Sequence, residues 1–264
     1  AGTLRVTADV ATARATTLGA GGGTFDTVGD LAHAGVIGGE GALTKTGDGT
    51  LTLSGSNSYA GGTAIDGGEV QAASDANLGD ADGPLSLDSG TLTALGSFTM
   101  DRATTLGAGG GTIGVGGALS VVQEGDVSGP GALTKTGTGT LTLAGTGTYA
   151  GGTTIAGGTL QLGNGGTAGS ITGDVVDDGT LVVDRSDELT LDGTISGSGS
   201  VQQAGAGTTT LSGSNSYAGG TTITGRPTLS TMSLAAMPSM TSSGSPLAGR
   251  PTTTTSAARA CSTR

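Results

Sequence analysis

The stretch GALTKTGDGTLTLSGSNSYAGGTAIDGG at 41–68 returns at 131–158 as GALTKTGTGTLTLAGTGTYAGGTTIAGG, and a shorter copy, GAGTTTLSGSNSYAGGTTITG, occupies 205–225. Self-similarity on this scale marks a chain made by stacking one small unit, which limits the fold before any other property is considered. The unit is longer than these quotations. RATTLGAGGGT stands at 14–24 and again at 102–112, a spacing of 88, whereas GALTKTG recurs at a spacing of 90. Two residues have entered between the motifs, and insertions of that kind belong in loops.

Within each unit runs a shorter rhythm of alternating segments: Leu51–Leu53, Leu85–Leu87, Thr91–Thr93, Leu141–Leu143, Leu160–Leu162 and Leu189–Leu191. A period of two predicts short strands with one apolar and one polar face. GG, DGG, GDG, GTG and GNGG stand between them and supply the turns. No segment keeps a helical spacing over three turns, so helix is expected to be almost absent. Strands this short cannot bury themselves alone. Stacked coils solve the problem, because each Leu, Val or Ile then lies beneath its counterpart and one narrow core runs through the whole. Threonine suits the outer face, where its β-branch fits the pleat and its hydroxyl meets water.

Composition agrees with a core of this kind. The 264 residues include 56 Gly, two Phe, three Tyr and no Trp, so aromatic packing cannot hold a conventional globule together. At roughly 20–30 residues per coil, the first 225 residues make about eight to eleven coils. At about 4.8 Å per coil that is a rod on the order of 40–50 Å long. A β-propeller is the alternative repeat architecture, but its blades normally carry aromatic signatures that this chain lacks.

All 21 acidic residues precede Gly225 together with six of the ten Lys and Arg, leaving the body at −15 and the remainder at +4. A body of that sign repels phosphates and anionic lipid, so no nucleic-acid partner and no direct membrane-surface binding are expected. The single cysteine, Cys261, excludes an internal disulfide or a cysteine metal cage. The chain opens on Ala with no basic-then-apolar leader, which reads as a mature product or a fragment.

The pattern L-T-K-T-G-x-G-T-L-T-L-x-G-x-x-x-Y-x-G-G-T-x-I-x-G-G-x-[LV], spelled by Leu43 to Val70 and Leu133 to Leu160, resembles the autotransporter-associated β-strand repeat of type V secreted proteins. Copies fall near 41–70, 131–160 and 205–225. The resemblance implies a right-handed parallel β-helix for residues 1–225, displayed outside a Gram-negative cell as a passenger domain. It also implies a precursor with a C-terminal outer-membrane β-barrel translocator, for which nothing after 225 offers the alternating strands. The function implied is a non-catalytic structural stalk at the cell surface. The alternatives are an adhesin binding host or neighbouring-cell surfaces through the β-helix face, and a carbohydrate-active β-helix enzyme.

At Arg226-Pro227 the repeat pattern breaks. Residues 226–264 hold four of six Pro, three of four Met and no acid. This segment reads as a disordered Ser/Thr/Pro-rich tail or, in the preferred reading, as an out-of-frame translation of a GC-rich gene. Either way the solenoid is expected to end uncapped at Thr224, with fraying or head-to-tail self-association as the result.

No catalytic, cofactor-binding or metal-binding residue is assigned. His33 is the one histidine, and a Ser-His-Asp triad would have to use it. Asp88-Ser89-Gly90 superficially resembles a nucleophile motif but sits in an alternating strand pair, as a turn. Asp174, Asp177 and Asp178 could gather calcium, yet the calcium nonapeptide is missing, and they read as solvated turn carboxylates. GAGGGT at 19–24 and 107–112 lacks the helix and Lys-Ser/Thr of a phosphate loop. Tyr59, Tyr149 and Tyr217 hold equivalent places and read as packing at a coil corner. Asp187 and Glu188 are expected on one strand, pointing to opposite faces. An enzyme would need Asp177, Asp178, Asp184 and Asp187 clustered in a groove.

Overall fold

A computed structural model describes residues 1–225 and 240–242. It is a parallel β-solenoid of about 11 turns, with no α-helix among the described residues. All strand pairings are parallel and join one coil to the next, from Leu4↔Phe25 near the start to Val201↔Thr221 near the end. Coil length ranges from 19 residues (Leu51↔Val70) through 23 (Thr105↔Ser128) to 24 at the bridge Thr146↔Ser170. The six alternating segments singled out in the sequence all fall inside strands.

Each coil contributes to three faces. The first face is a seven-stranded sheet running from Gly2–Val6 to Val127–Ser128, continued by bridges at Gly147 and Ser170 and by the pair Leu189–Leu191 and Thr209–Leu211. A ten-stranded sheet from Val10–Thr12 to Ile195–Ser196 forms the second. The third comprises Thr16–Leu18, Ile37–Gly39 and Ser58–Tyr59, and then, from Phe98–Met100 onward, an eight-stranded sheet. Between these two parts a short 3-10 turn, Asp75–Leu78, replaces a strand.

The core is the set of columns that alternation requires. Leu31, Leu51, Val70, Leu92 and Ile113 stack in register on the second face, and Val121, Leu141, Leu160, Leu181 and Val201 on the third. All are buried, each contributing about 1.5–3 kcal/mol relative to exposure. Outward positions carry threonine as expected, in columns such as Ser120, Thr140, Thr159, Thr180 and Ser200.

The two inserted residues both fall in one turn: five residues, 116–120, separate Val115 from Val121 where three, 28–30, separate Thr27 from Leu31, and the spacing is 90 from there on. The Gly-Gly of Y-x-G-G-T has a steric reason. Gly62, Gly152 and Gly220 sit at φ 81°, 76° and 78°, and a Cβ on Gly62 would lie 2.3 Å from the Pro84 carbonyl oxygen.

The repeat spacing differs from the coil length in an instructive way. Four coils carry the chain from Leu43–Thr46 through 63–65, 85–87 and 104–106 to Val127–Ser128, all on the first face. The second copy then opens with Leu133–Thr136 on the second face. Three further coils lead to Ile195–Ser196, and the third copy opens with Ser200–Gln203 on the third face. Successive copies are therefore turned by one face about the rod axis.

The tail reading concerns residues 226–264, of which only Met240–Ser242 is described. These three residues pair parallel with Thr221–Ile223. The last strand of the third face is therefore Met240–Ser242 and not Thr221–Ile223. The other tail residues, Cys261 among them, lie outside the described residues.

Candidate interaction surface

The sequence signature of the repeat points inward. Lys45 and Lys135 are fully buried. The Lys45 ammonium donates to the carbonyls of Thr46 (2.9 Å), Gly47 (2.7 Å) and, one coil on, Gly67 (3.2 Å). Lys135 repeats this with Thr136, Gly137 and Gly157 at 2.8, 2.9 and 3.3 Å. Burial pushes the Lys135 ammonium down to about 8 and lowers that of Lys45 as well. In the third copy Gln203 takes the place and donates to the Gly205 and Gly207 carbonyls. The same reach to the carbonyl two residues on recurs at Gln123, Gln161 and His33.

Tyr59, Tyr149 and Tyr217 are buried to within 1% of full enclosure, as packing at a corner requires. Their hydroxyls pair with Thr63, Thr153 and Thr221 at 2.7, 2.7 and 2.5 Å, each the first residue of the following strand. Burial raises the Tyr59 phenol to about 12 and shifts the other two upward too.

The residues weighed for catalysis are dispersed. His33 is buried, its Nε2 3.0 Å from Thr16 Oγ1 and its ring stacked on Phe25. Ser89, at φ 61°, forms the turn between two strands. Both GAGGGT segments are turns that lead into strands. Asp187 and Glu188 precede the strand Leu189–Leu191 rather than lying on it, which corrects the opposite-face reading. Asp187 instead receives a bidentate Arg185 at 2.9 and 2.8 Å. Asp184 is half-buried, and its carbonyl accepts from Gly165. No three His, Cys, Asp or Glu side chains gather at a metal site among the described residues.

The aspartates of Asp174 to Asp178 behave unlike one another. Asp174 and Asp178 are exposed and accept from the backbone N–H of Thr194 and Ser198 on the next coil, bonds that lower both carboxyls. Asp9, Asp30 and Asp126 form the same link. Much of the negative charge is thus coil-to-coil fastening. Asp177, read from sequence as solvated, is fully buried.

Two excursions leave the rod, directly after the first and second copies. Residues 73–84 are held by Arg102, whose enclosed guanidinium reaches Asp75 Oδ1 at 2.7 Å and the carbonyls of Leu78, Asp80 and Gly83. Residues 163–170 are held by Arg185 through the Gly169 carbonyl. Sequence reasoning passed over both arginines. RATTLGAGGGT gave no sign that Arg102 is buried while Arg14, its counterpart, is exposed.

What faces solvent over much of the rod is flat, small and neutral. On the third face the column Val122, Thr142, Gln161, Val182, Gln202 and Thr222, in which Thr142 and Val182 are buried and the others half-buried, runs beside Ser120, Thr140, Thr159, Thr180 and Ser200 without one charged residue.

A parallel solenoid with its repeat signature buried defines the class. Comparison with known sequences then places the repeat. The Passenger-associated-transport-repeat matches at 43–72, 133–162 and 201–225. The Adhesin BmaC autotransporter of Brucella suis biovar 1 (strain 1330) is 48% identical over 166 residues, covering 63% of this chain and 5% of that protein. The chain therefore spans about one-twentieth of the length of that relative. No solved structure matches. The chain thus carries three copies of the passenger-associated transport repeat, and 166 of its residues are similar to a small part of an autotransporter adhesin.

Proposed function

We propose that this segment is a non-catalytic stalk, a stiff spacer that holds other parts of a longer passenger away from the cell. The observation that supports it is the inward turn of the elements that recur between copies: tyrosine and Gly-Gly in all three, and the lysine of the first two with Gln203 in its place in the third, serve coil-to-coil fastening. Load applied along the rod spreads over three parallel ladders at once. About 11 coils at about 4.8 Å give a length near 50 Å. An outer-membrane β-barrel in the full precursor belongs to this reading.

The printed name of the Brucella relative and the neutral hydroxyl and amide face favour a second reading, an adhesin that binds through that face. One experiment separates the two. The purified chain is immobilised and offered to host cells, matrix proteins and polysaccharides, with Thr140→Glu/Thr159→Glu as the face variant. A stalk shows no saturable binding and no turnover of polysaccharide. Saturable binding lost in the face variant replaces the stalk with the adhesin, and turnover replaces both with an enzyme.

A further inference from the structure

Asp177 stands out among the buried polar groups. It sits in an inward column of the second face, where Lys135, Ile155 and Asp177 follow one another in register. Its Oδ1 accepts from the Gly179 N–H at 2.9 Å and the Leu181 N–H also favours the charged form, but Oδ2 is enclosed with no partner in hydrogen-bonding geometry, and burial outweighs both donors. The backbone closes over the carboxyl, since a Cβ on Gly199 would lie 2.5 Å from its carbon. An enclosed carboxylate oxygen without a donor is among the costliest features a fold can hold when charged, and far less costly when protonated.

The surroundings supply no counter-charge. Asp178, the next residue, is a like charge, and Tyr217, two coils on, has its own phenol raised in part by Asp177. The paired strands Thr153–Ile155 and Ile195–Ser196 and the following strand Thr180–Val183 contain no titratable side chain. Lys135 lies two strands back with Ile155 between, and its ammonium is committed to three carbonyls. Arg185, the nearest arginine in sequence, is spent on Asp187 and Gly169.

We propose that Asp177 is a proton-operated weak point in the rod: protonated, it lets the coils from Val175 to Gln203 pack closed, and ionised, it loosens them. The exposed neighbours Asp174 and Asp178 keep fastening the corners in either state, so the change is local. Burial raises the Asp177 carboxyl from 3.8 to about 6. The sign follows from linkage. A carboxyl raised in the fold gives stability that is complete below about 3.8 and is lost as pH climbs to about 6. The rod is thus tightest in acid and acquires a compliant zone at neutral pH.

Hydrogen exchange on the whole chain between pH 5 and 7.5, corrected for intrinsic rates and referenced to residues 43–72, reads this directly. The opening constant of 175–203 is expected to rise by about 10-fold across that range, and Asp177→Asn is expected to abolish the rise. A flat profile in the parent chain, or an equal rise in the Asn variant, overturns the proposal. Should the variant not fold, carbon-13 titration of the Asp177 carboxyl in the parent decides: a midpoint near 6 supports it, and one at or below 4 overturns it.

Discussion

Residues 43–72 and 133–162 spell nearly the same sequence, yet they lie on different sides of the rod. The first opens on the seven-stranded face and the second on the ten-stranded one, because 90 residues make about four and a third coils. Their internal contacts are nonetheless alike to within a few tenths of an ångström, lysine for lysine and tyrosine for tyrosine. A motif that can be turned by a third of a coil without changing its contacts is fastening that acts within a pair of coils. An outward binding site would instead have to keep its side.

The largest test of this comparison concerns the two arginines of RATTLGAGGGT. Arg102 is enclosed and ties down the excursion 73–84, whereas Arg14 is exposed. Arg102→Ala leaves the half-buried Asp75 and the buried Leu78 and Gly83 carbonyls without their donor and is expected to cost about 3–5 kcal/mol. Arg14→Ala is expected to fall within about 0.5 kcal/mol of the parent. Denaturant midpoints of the two variants check the pair. Equal losses would mean that the repeated motif, and not the excursion, sets the role of the arginine.

Next in size are the lysines. Lys45→Met or Lys135→Met takes the donor from three part-buried carbonyls, at about 1–3 kcal/mol per variant, and the two losses are expected to match. Lys45→Gln should recover most of that loss, since Gln203 already does this work in the third copy. The pH profile adds a sign. Lys135 is lowered from 10.5 to about 8, so the fold favours its neutral form. Stability at that corner is therefore expected to increase as pH rises from about 8 to 10.5, and Lys135→Gln to remove the increase.

Smaller still is the phenol hydroxyl. Tyr59→Phe and Tyr149→Phe each break one buried bond to threonine while keeping the ring, for about 1 kcal/mol. Thermal unfolding of both single variants and the double variant is expected to show additivity, as sites four coils apart share no partner. A difference between the two would show that the face on which a copy lies does matter.

The sequence made the solenoid legible because alternation and repetition act on every coil alike: any Leu51 needs a Val70 beneath it. Coil length was legible only as a range, and the rotation of the copies was hidden, since it depends on dividing 90 by a number that strand pairing alone supplies. The burial of Lys45 and Asp177 was hidden for a related reason. Charged residues in an alternating segment read as outward, unless one knows that a corner carbonyl or a corner N–H lies within reach inside. Asn57 and Asn215 carry the same lesson, each accepting from the backbone N–H of an isoleucine one coil earlier, Ile37 and Ile195. The second copy has Gly147 there and uses a backbone bridge to Val127 instead.

The smallest expected effect sharpens the comparison at the scale of one turn. Asp174 accepts from the Thr194 N–H, and the bond holds its carboxyl below 3.8. For a group lowered in the fold, the linked stability is present above the unfolded value and is lost as pH falls through the folded one. Asp174→Asn can still accept that bond through its amide oxygen, so it is expected to remove only the acid-side dependence and to leave neutral-pH unfolding close to the parent. Asp177, three residues on, has the opposite sign, and the two must be separable in one titration that follows each carboxyl by NMR. Should both midpoints fall below 3.8, the corner bond and the buried column would be electrostatically equivalent, and burial would cease to distinguish an aspartate that fastens two coils from one that strains them.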